Sequence, residues 1–213
     1  MQMSDRQLVR VNTAFHGTEY GGWTICPTGL SASSIVYSFG IGEDASFDLE
    51  VISLYGVELH AFDPTPRSID WVEKQSWPAK FHFHPIGIGS SDRVATFFPP
   101  ENPDHVSHSI LERESSASAI QVKLRRLATI AETLGHREID ILKMDIEGAE
   151  YEVVDDLVKT PEVEIRQILV EFHHFFPSIT VEATNIAIRQ LETAGYRVFN
   201  VSKRGYEYSF IRL

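Results

Sequence analysis

The stretch 142–150, LKMDIEGAE, decides how this chain folds. An apolar run over 139–144 stops abruptly in three carboxylates, Asp145, Glu147 and Glu150. A short apolar run bounded by polar residues reads as a buried strand, so these carboxylates stand at a strand's carboxyl end. Four more runs repeat the pattern, at 35–39, 57–62, 80–88 and 165–172. Between them lie segments of helical spacing: 45–56 with Phe47, Val51 and Leu54 on one face, 68–75, 122–134 closed by Gly135, 151–158, and 181–194 closed by Gly195. Repeated alternation of strand and helix predicts a parallel sheet with helices on both faces. Two last runs, 196–201 and 206–211, flank Ser202-Lys203-Arg204-Gly205, the composition of a hairpin.

Two segments stand outside this rhythm. Residues 1–33 read as a short helix plus loops, an N-terminal extension or lid ahead of a main domain over 34–213. Within it, Tyr20-Gly21-Gly22-Trp23 either covers a bound ring or seals the core. Residues 97–118, rich in Pro, Ser and charge and carrying His105 and His108, read as a long loop or flap over a substrate. A chain of 213 residues with 43% hydrophobic content suits one domain of this size. Its net charge of −11 repels nucleic acid and anionic membrane alike. The single cysteine, Cys26, makes no internal disulfide. No apolar run approaches the roughly 20 residues of a membrane span, and the N-terminus is polar. The expectation is a cytoplasmic protein acting on a small molecule, with no nucleic-acid partner and no membrane insertion.

In open α/β sheets ligands bind beyond the carboxyl ends of the strands. The first strand runs into Gly40-Ile41-Gly42, where glycines let the backbone turn tightly and approach a ligand. The second ends in Asp63, 21 residues past Gly42, close to the spacing at which an acidic residue takes ribose hydroxyls. The third ends in Gly87-Ile88-Gly89, with room for a flat ring. This set implies a nucleoside. A dinucleotide fingerprint wants a third glycine and a pyrophosphate on the helix start, whereas here Glu43 and Asp44 follow and repel phosphate. S-adenosylmethionine, with adenosine, a sulfonium, an amino group and no phosphate, fits. Asp145 then lies beside its methionine end, to bind the ammonium or to act on the incoming nucleophile.

The fifth strand ends in Glu171, followed by His173 and His174. Strand periodicity puts Glu171 and His173 on one face, so Asp145, Glu171 and His173 are expected to converge. Together they could hold a divalent metal, Mg²⁺ or Mn²⁺, that acidifies a substrate hydroxyl. Alternatively His173 is a general base, its ordinary pKa near 6.5 suiting proton removal, or it is satisfied by a backbone partner. Glu147 is a candidate beside Asp145. Both Glu147 and Glu150 also suit a first helical turn through the helix dipole. Lys143 reads as pairing with a neighbouring carboxylate, and His82 and His84 read as structural.

In order, VYSFGIG, AFDP, IDILKMDIEGAEYEVV and ILVEFHHF resemble the FkbM-type family of S-adenosylmethionine-dependent methyltransferases, in its methyltransferase-like-protein branch, over roughly residues 20–213. The resemblance implies a class I methyltransferase fold: a Rossmann-like α/β architecture with a seven-stranded, mostly parallel sheet of order 3-2-1-4-5-7-6 and helices on both faces. It also implies cofactor contacts by Ser38, Gly40, Gly42, Asp63, Gly87, Ile88 and Asp145. Three positions depart from the family pattern. Ser38 stands where an acidic residue usually opens the glycine loop, Asp44 replaces its third small residue, and Arg126-Leu127-Ala128 stands where Thr-Leu-Asp is common. The implied activity is O-methylation of a small-molecule, sugar or lipid-like hydroxyl, with Asp145, His173 and Glu147 as catalytic candidates. A nucleotide-dependent oxidoreductase, or a module that keeps the fold without the reaction, are the other readings.

Overall fold

A computed structural model describes residues 8–97 and 119–213. Seven strands form the central sheet: β3 (Ile35–Phe39), β4 (Glu58–Phe62), β5 (Phe81–His84), β9 (Glu138–Met144), β10 (Glu164–Glu171), β11 (Tyr196–Val201) and β12 (Glu207–Arg212). Their spatial order is β5-β4-β3-β9-β10-β12-β11. Numbered along the chain, that is 3-2-1-4-5-7-6. All neighbours pair in parallel except β12, which runs antiparallel to both β10 and β11. The strands are nearly continuous apolar runs because both of their faces are covered. Tyr37, Phe39, Leu142, Met144, Ile168 and Val170 face α3 (Leu127–Leu134), α4 (Glu150–Lys159) and α5 (Val181–Thr193). Val36, Ile141 and Leu169 face α1 (Ser46–Tyr55) and α2 (Pro66–Glu73).

Residues 8–34 hold no helix. Strands β1 (Ala14–His16) and β2 (Trp23–Ile25) form an antiparallel hairpin instead. Trp23 and Ile25 join the core on the α1 face. Gln167 of β10 fastens the hairpin with a two-way amide bridge, accepting from Cys26 N at 2.8 Å and donating to Cys26 O at 2.9 Å. A buried amide that satisfies both backbone groups of another residue replaces a missing stretch of sheet ladder. His16 ties the same hairpin to α1, with Nδ1 2.9 Å from Glu50 and Nε2 2.8 Å from Tyr55 Oη.

Two expectations along the middle of the chain are corrected. The run 80–88 is not one strand: Pro85, lacking an N–H, follows β5, and Gly87–Ile88 forms β6 in a separate small sheet. The segment 122–134 is not one helix: Ile120–Arg125 is β8, parallel to β6 and antiparallel to β7 (Arg93–Phe97), and only Leu127–Leu134 is helical. Val122 and Leu124 are buried while Gln121 and Lys123 are exposed, a period of two. Of the flap expected over 97–118, Phe97 ends β7; the rest, with His105 and His108, lies outside the described residues.

Candidate functional site

A cavity of about 550 Å³ opens beyond the carboxyl ends of β3, β4, β9 and β10. The glycine loop forms one wall. Gly40 has φ +77°, and a Cβ there would lie 1.7 Å from the carbonyl oxygen of Asp145, so only glycine fits. Gly40 N donates to Phe62 O at 2.9 Å, and Asp145 N donates to Phe39 O at 3.2 Å. The three strand ends are therefore laced together at backbone level. Gly42, φ +53°, is the reverse case: nothing lies within 4 Å of its would-be Cβ, which leaves the loop open to a ligand.

Asp63 organises this wall. Its Oδ2 accepts from Gly42 N at 3.1 Å, and its Oδ1 accepts from Thr65 N at 2.9 Å and Thr65 Oγ1 at 2.6 Å. Buried to 5% exposure, it is a rigid acceptor at the cavity floor. Thr65, and Ser68 beyond it at 2.8 Å, carried no signal in the sequence. Gly87 and Ile88 lie across from them, with Leu124 of β8.

Ser38 does not line the cavity. It is fully buried on the α1 face of β3, directly beside Lys143 of β9, and its hydroxyl is aimed at the Asp48 carboxyl. Lys143 does not pair with a carboxylate at the strand's mouth either. It is 4% exposed, donates to Gly40 O at 3.0 Å, and stands 5.7 Å over the Trp23 ring. It thus braces the glycine loop from behind. Burial pushes the Asp48 carboxyl up, and the Lys143 charge draws it back. Asp44 takes Ser46 N at 2.7 Å and Thr18 Oγ1 at 2.7 Å, fixing the start of α1 to the β1–β2 turn. Burial raises its carboxyl, but these hydrogen bonds outweigh that and hold it below its usual range.

The opposite wall is acidic. Asp145 keeps 31% of its side chain open to the cavity, Glu147 20%. Glu147 is the one non-glycine among the described residues with positive φ, 55°. With Gly148 at φ 104° it makes the tight turn into α4. That turn carries Glu150 inward. At 0% exposure, Glu150 Oε1 accepts from Ile146 N at 3.0 Å and its Oε2 from Gly148 N at 3.1 Å. The same carboxylate stands 2.9 Å from His173 Nδ1. The contact is an ion pair rather than a well-angled hydrogen bond. His173 Nε2 faces Asp145 and Glu147, each at 3.6 Å. Burial alone would lower the imidazole pKa, but Glu150, Asp145 and Glu147 raise it to about 10. Burial, then repulsion from Asp145, raise Glu171 to about 8. Burial likewise raises Asp145.

The structure therefore gathers Gly40, Gly42, Asp63, Gly87, Ile88, Asp145, Glu147, Glu171 and His173 around one cavity. It adds Phe175, Phe176 and, from the hairpin tip, Arg204 and Glu207. These last two pair with each other. The β10–β12 register sets Glu207 directly opposite Glu171, a juxtaposition that the sequence shows only once β12 is known to run antiparallel.

The family model of the methyltransferase FkbM domain matches residues 30–198. The probable methyltransferase-like protein 24 of Homo sapiens is 28% identical over 182 residues, 79% of this chain and 42% of that protein. The Rattus norvegicus protein of the same name is 26% identical over 178 residues, 79% of this chain and 43% of that protein. The chain thus spans about two fifths of the length of these curated relatives. The Methanococcus jannaschii fibrillarin pre-rRNA processing protein superimposes with a TM-score of 0.50 at 8% identity, over 100% of this chain and 84% of that one. At that identity the likeness speaks to fold alone. No helix among the described residues is long and apolar enough to cross a membrane. Because the family match runs from just before β3 into β11, it takes in the glycine loop and both acidic strand ends, and the chain belongs to the FkbM-domain methyltransferases.

Proposed function

We propose that this protein is an S-adenosylmethionine-dependent methyltransferase acting on a hydroxyl of a small-molecule, sugar or lipid-like acceptor. The observation that carries the reading is the Asp63 carboxylate, fixed by Gly42 and Thr65 at the floor of an open glycine-lined cavity. Such an acceptor suits a ribose diol. The cradle at Gly42 leaves room for the cofactor, and Gly87 and Ile88 offer a flat apolar slot for adenine. Glu43 and Asp44 at the start of α1 disfavour a dinucleotide phosphate, which tells against an oxidoreductase. Bound there, S-adenosylmethionine supplies an electrophilic methyl group on a sulfonium, which leaves S-adenosylhomocysteine on transfer.

The chain's own residues do the rest. Asp145 faces the cavity where the ammonium or the acceptor would sit. Phe175 and Phe176 pack around His173, with ring centroids at 5.2 and 5.0 Å, and give the cavity an apolar side there. His173 is not poised as a base. Raised to about 10, it already carries its proton at neutral pH. Proximity and orientation within this enclosure supply much of the expected rate enhancement.

The test is calorimetric titration with S-adenosylmethionine on wild type and Asp63→Asn. Wild type should bind in the micromolar range. The variant should bind about 10- to 100-fold more weakly, the worth of a charged hydrogen bond. No binding by folded wild type would retire the enzyme reading and favour a module that keeps only the fold.

A further inference from the structure

Donor atoms converge where β9 and β10 end. Asp145 directly follows β9, Glu171 closes β10 and His173 lies two residues beyond it. One ligand atom from each lies within 4.8 Å of the other two. The strands are parallel neighbours with Val170 opposite Met144, so sheet register itself brings the residues together.

Two observations set this trio apart from an ordinary acidic patch. His173 is 2% exposed, and its Nε2 points into the group. Its 3.6 Å separations from Asp145 and Glu147 are too long for hydrogen bonds. Nε2 is thus turned toward these carboxylates without a well-formed hydrogen bond to either, while Nδ1 is taken up by Glu150 at 2.9 Å. Further, Glu171 stands directly across from Glu207 in the antiparallel β10–β12 pair, where like charges repel.

We infer that Asp145, Glu171 and His173 form a binding site for a divalent cation, Mn²⁺ in preference to Mg²⁺. Two carboxylates suit either ion, and the imidazole tilts the set toward Mn²⁺. All three ligands line the cavity, so the remaining coordination positions face it and can take an acceptor oxygen. A hydroxyl held there loses its proton more readily. Glu150, 2.9 Å from Nδ1, is the outer carboxylate that orients a metal-binding imidazole through its other nitrogen. Binding at Nε2 releases its proton. The acceptor role rests on the methyltransferase reading, whereas the ion site itself does not.

The experiment is titration of Mn²⁺ into chelator-stripped protein without S-adenosylmethionine, followed by the electron paramagnetic resonance signal of free Mn²⁺. Wild type should bind in the micromolar range. Glu171→Gln and His173→Gln should each bind at least about 10-fold more weakly, with folding checked by circular dichroism. Asp63→Asn should bind as wild type does. No binding by folded wild type, or unchanged binding by folded Glu171→Gln, overturns the site. S-adenosylmethionine titrated into the same stripped protein reports on the methyltransferase reading separately, so failure of the ion leaves that reading standing.

Discussion

Lowering the pH from neutral to about 5 should cost the wild-type protein roughly 2 kcal/mol more stability than it costs a His60→Gln variant. His60 lies on β4, 6% exposed, among the titratable side chains of Tyr37, Glu58, His82, His84 and His136. Its Nδ1 is 3.0 Å from His84 Nε2, its ring stacks on His82 at 4.9 Å and meets His136 at 5.0 Å, and Glu58 stands 4.0 Å from Nε2. Burial first, then repulsion from His84, His136 and His82, depresses His60 to about 3. Glu58 does not offset this, being half exposed and also 3.3 Å from His82. The folded pKa is below the unfolded value near 6.5, so the unfolded chain takes up the proton first. The contribution is complete above about pH 6.5 and drains away as pH falls toward about 3, at about 1.4 kcal/mol per pH unit. Carboxylates raised in the fold, Glu171 and Asp145 among them, slope the other way over part of this range. The wild-type curve alone therefore does not isolate His60, but its difference from the variant does. Urea melts of both proteins at neutral pH and near pH 5 measure it. A gap that stays constant with pH would refute the assignment.

That cluster also marks where sequence reading ends. His82 and His84 read as structural, and nothing in the order of residues joins them to His60 and His136. The β4–β5 register sets His60 opposite His82, and the packing of the fold brings His136 against His60. The central strands were legible because a parallel sheet buried on both faces leaves continuous apolar runs, each ending where polar residues resume. The edge elements were not. Strands β6, β7 and β8 pair in a separate small sheet, and β8 finds its partner β7 some 25 residues earlier in the chain. Read alone, Val122 and Leu124 serve a helix as well as a strand. The glycine loop, Asp63 and the acidic strand ends were legible because strand ends are where such sheets hold ligands. Ser38 misled because its place in the motif says nothing of which face of β3 it occupies. Alternation along that strand turns it toward α1, away from the cavity.

Glu150→Ala should lower stability by about 3–5 kcal/mol, the cost of breaking a buried ion pair by removing one partner. For a chain of this length that is a fall of about 6–20 °C in Tm. As a first-turn residue of α4 favoured by the helix dipole, Glu150 would contribute only about 0.3–1 kcal/mol, so the measurement separates the two roles cleanly. The structure favours the larger figure. The carboxylate is fully buried, holds the backbone N–H groups of Ile146 and Gly148, and faces the buried imidazolium of His173. Its removal strands two donors and a charge in the interior, each costly without a partner. It also releases the left-handed turn at Glu147, whose φ of 55° depends on such surrounding bonds. Glu150→Gln keeps an oxygen for the turn but loses the charge facing His173, and should fall between alanine and wild type. Thermal melts of the three proteins at neutral pH supply the comparison. An alanine variant within about 1 kcal/mol of wild type would return Glu150 to the helix surface, and with it the account of how His173 is held against the cavity.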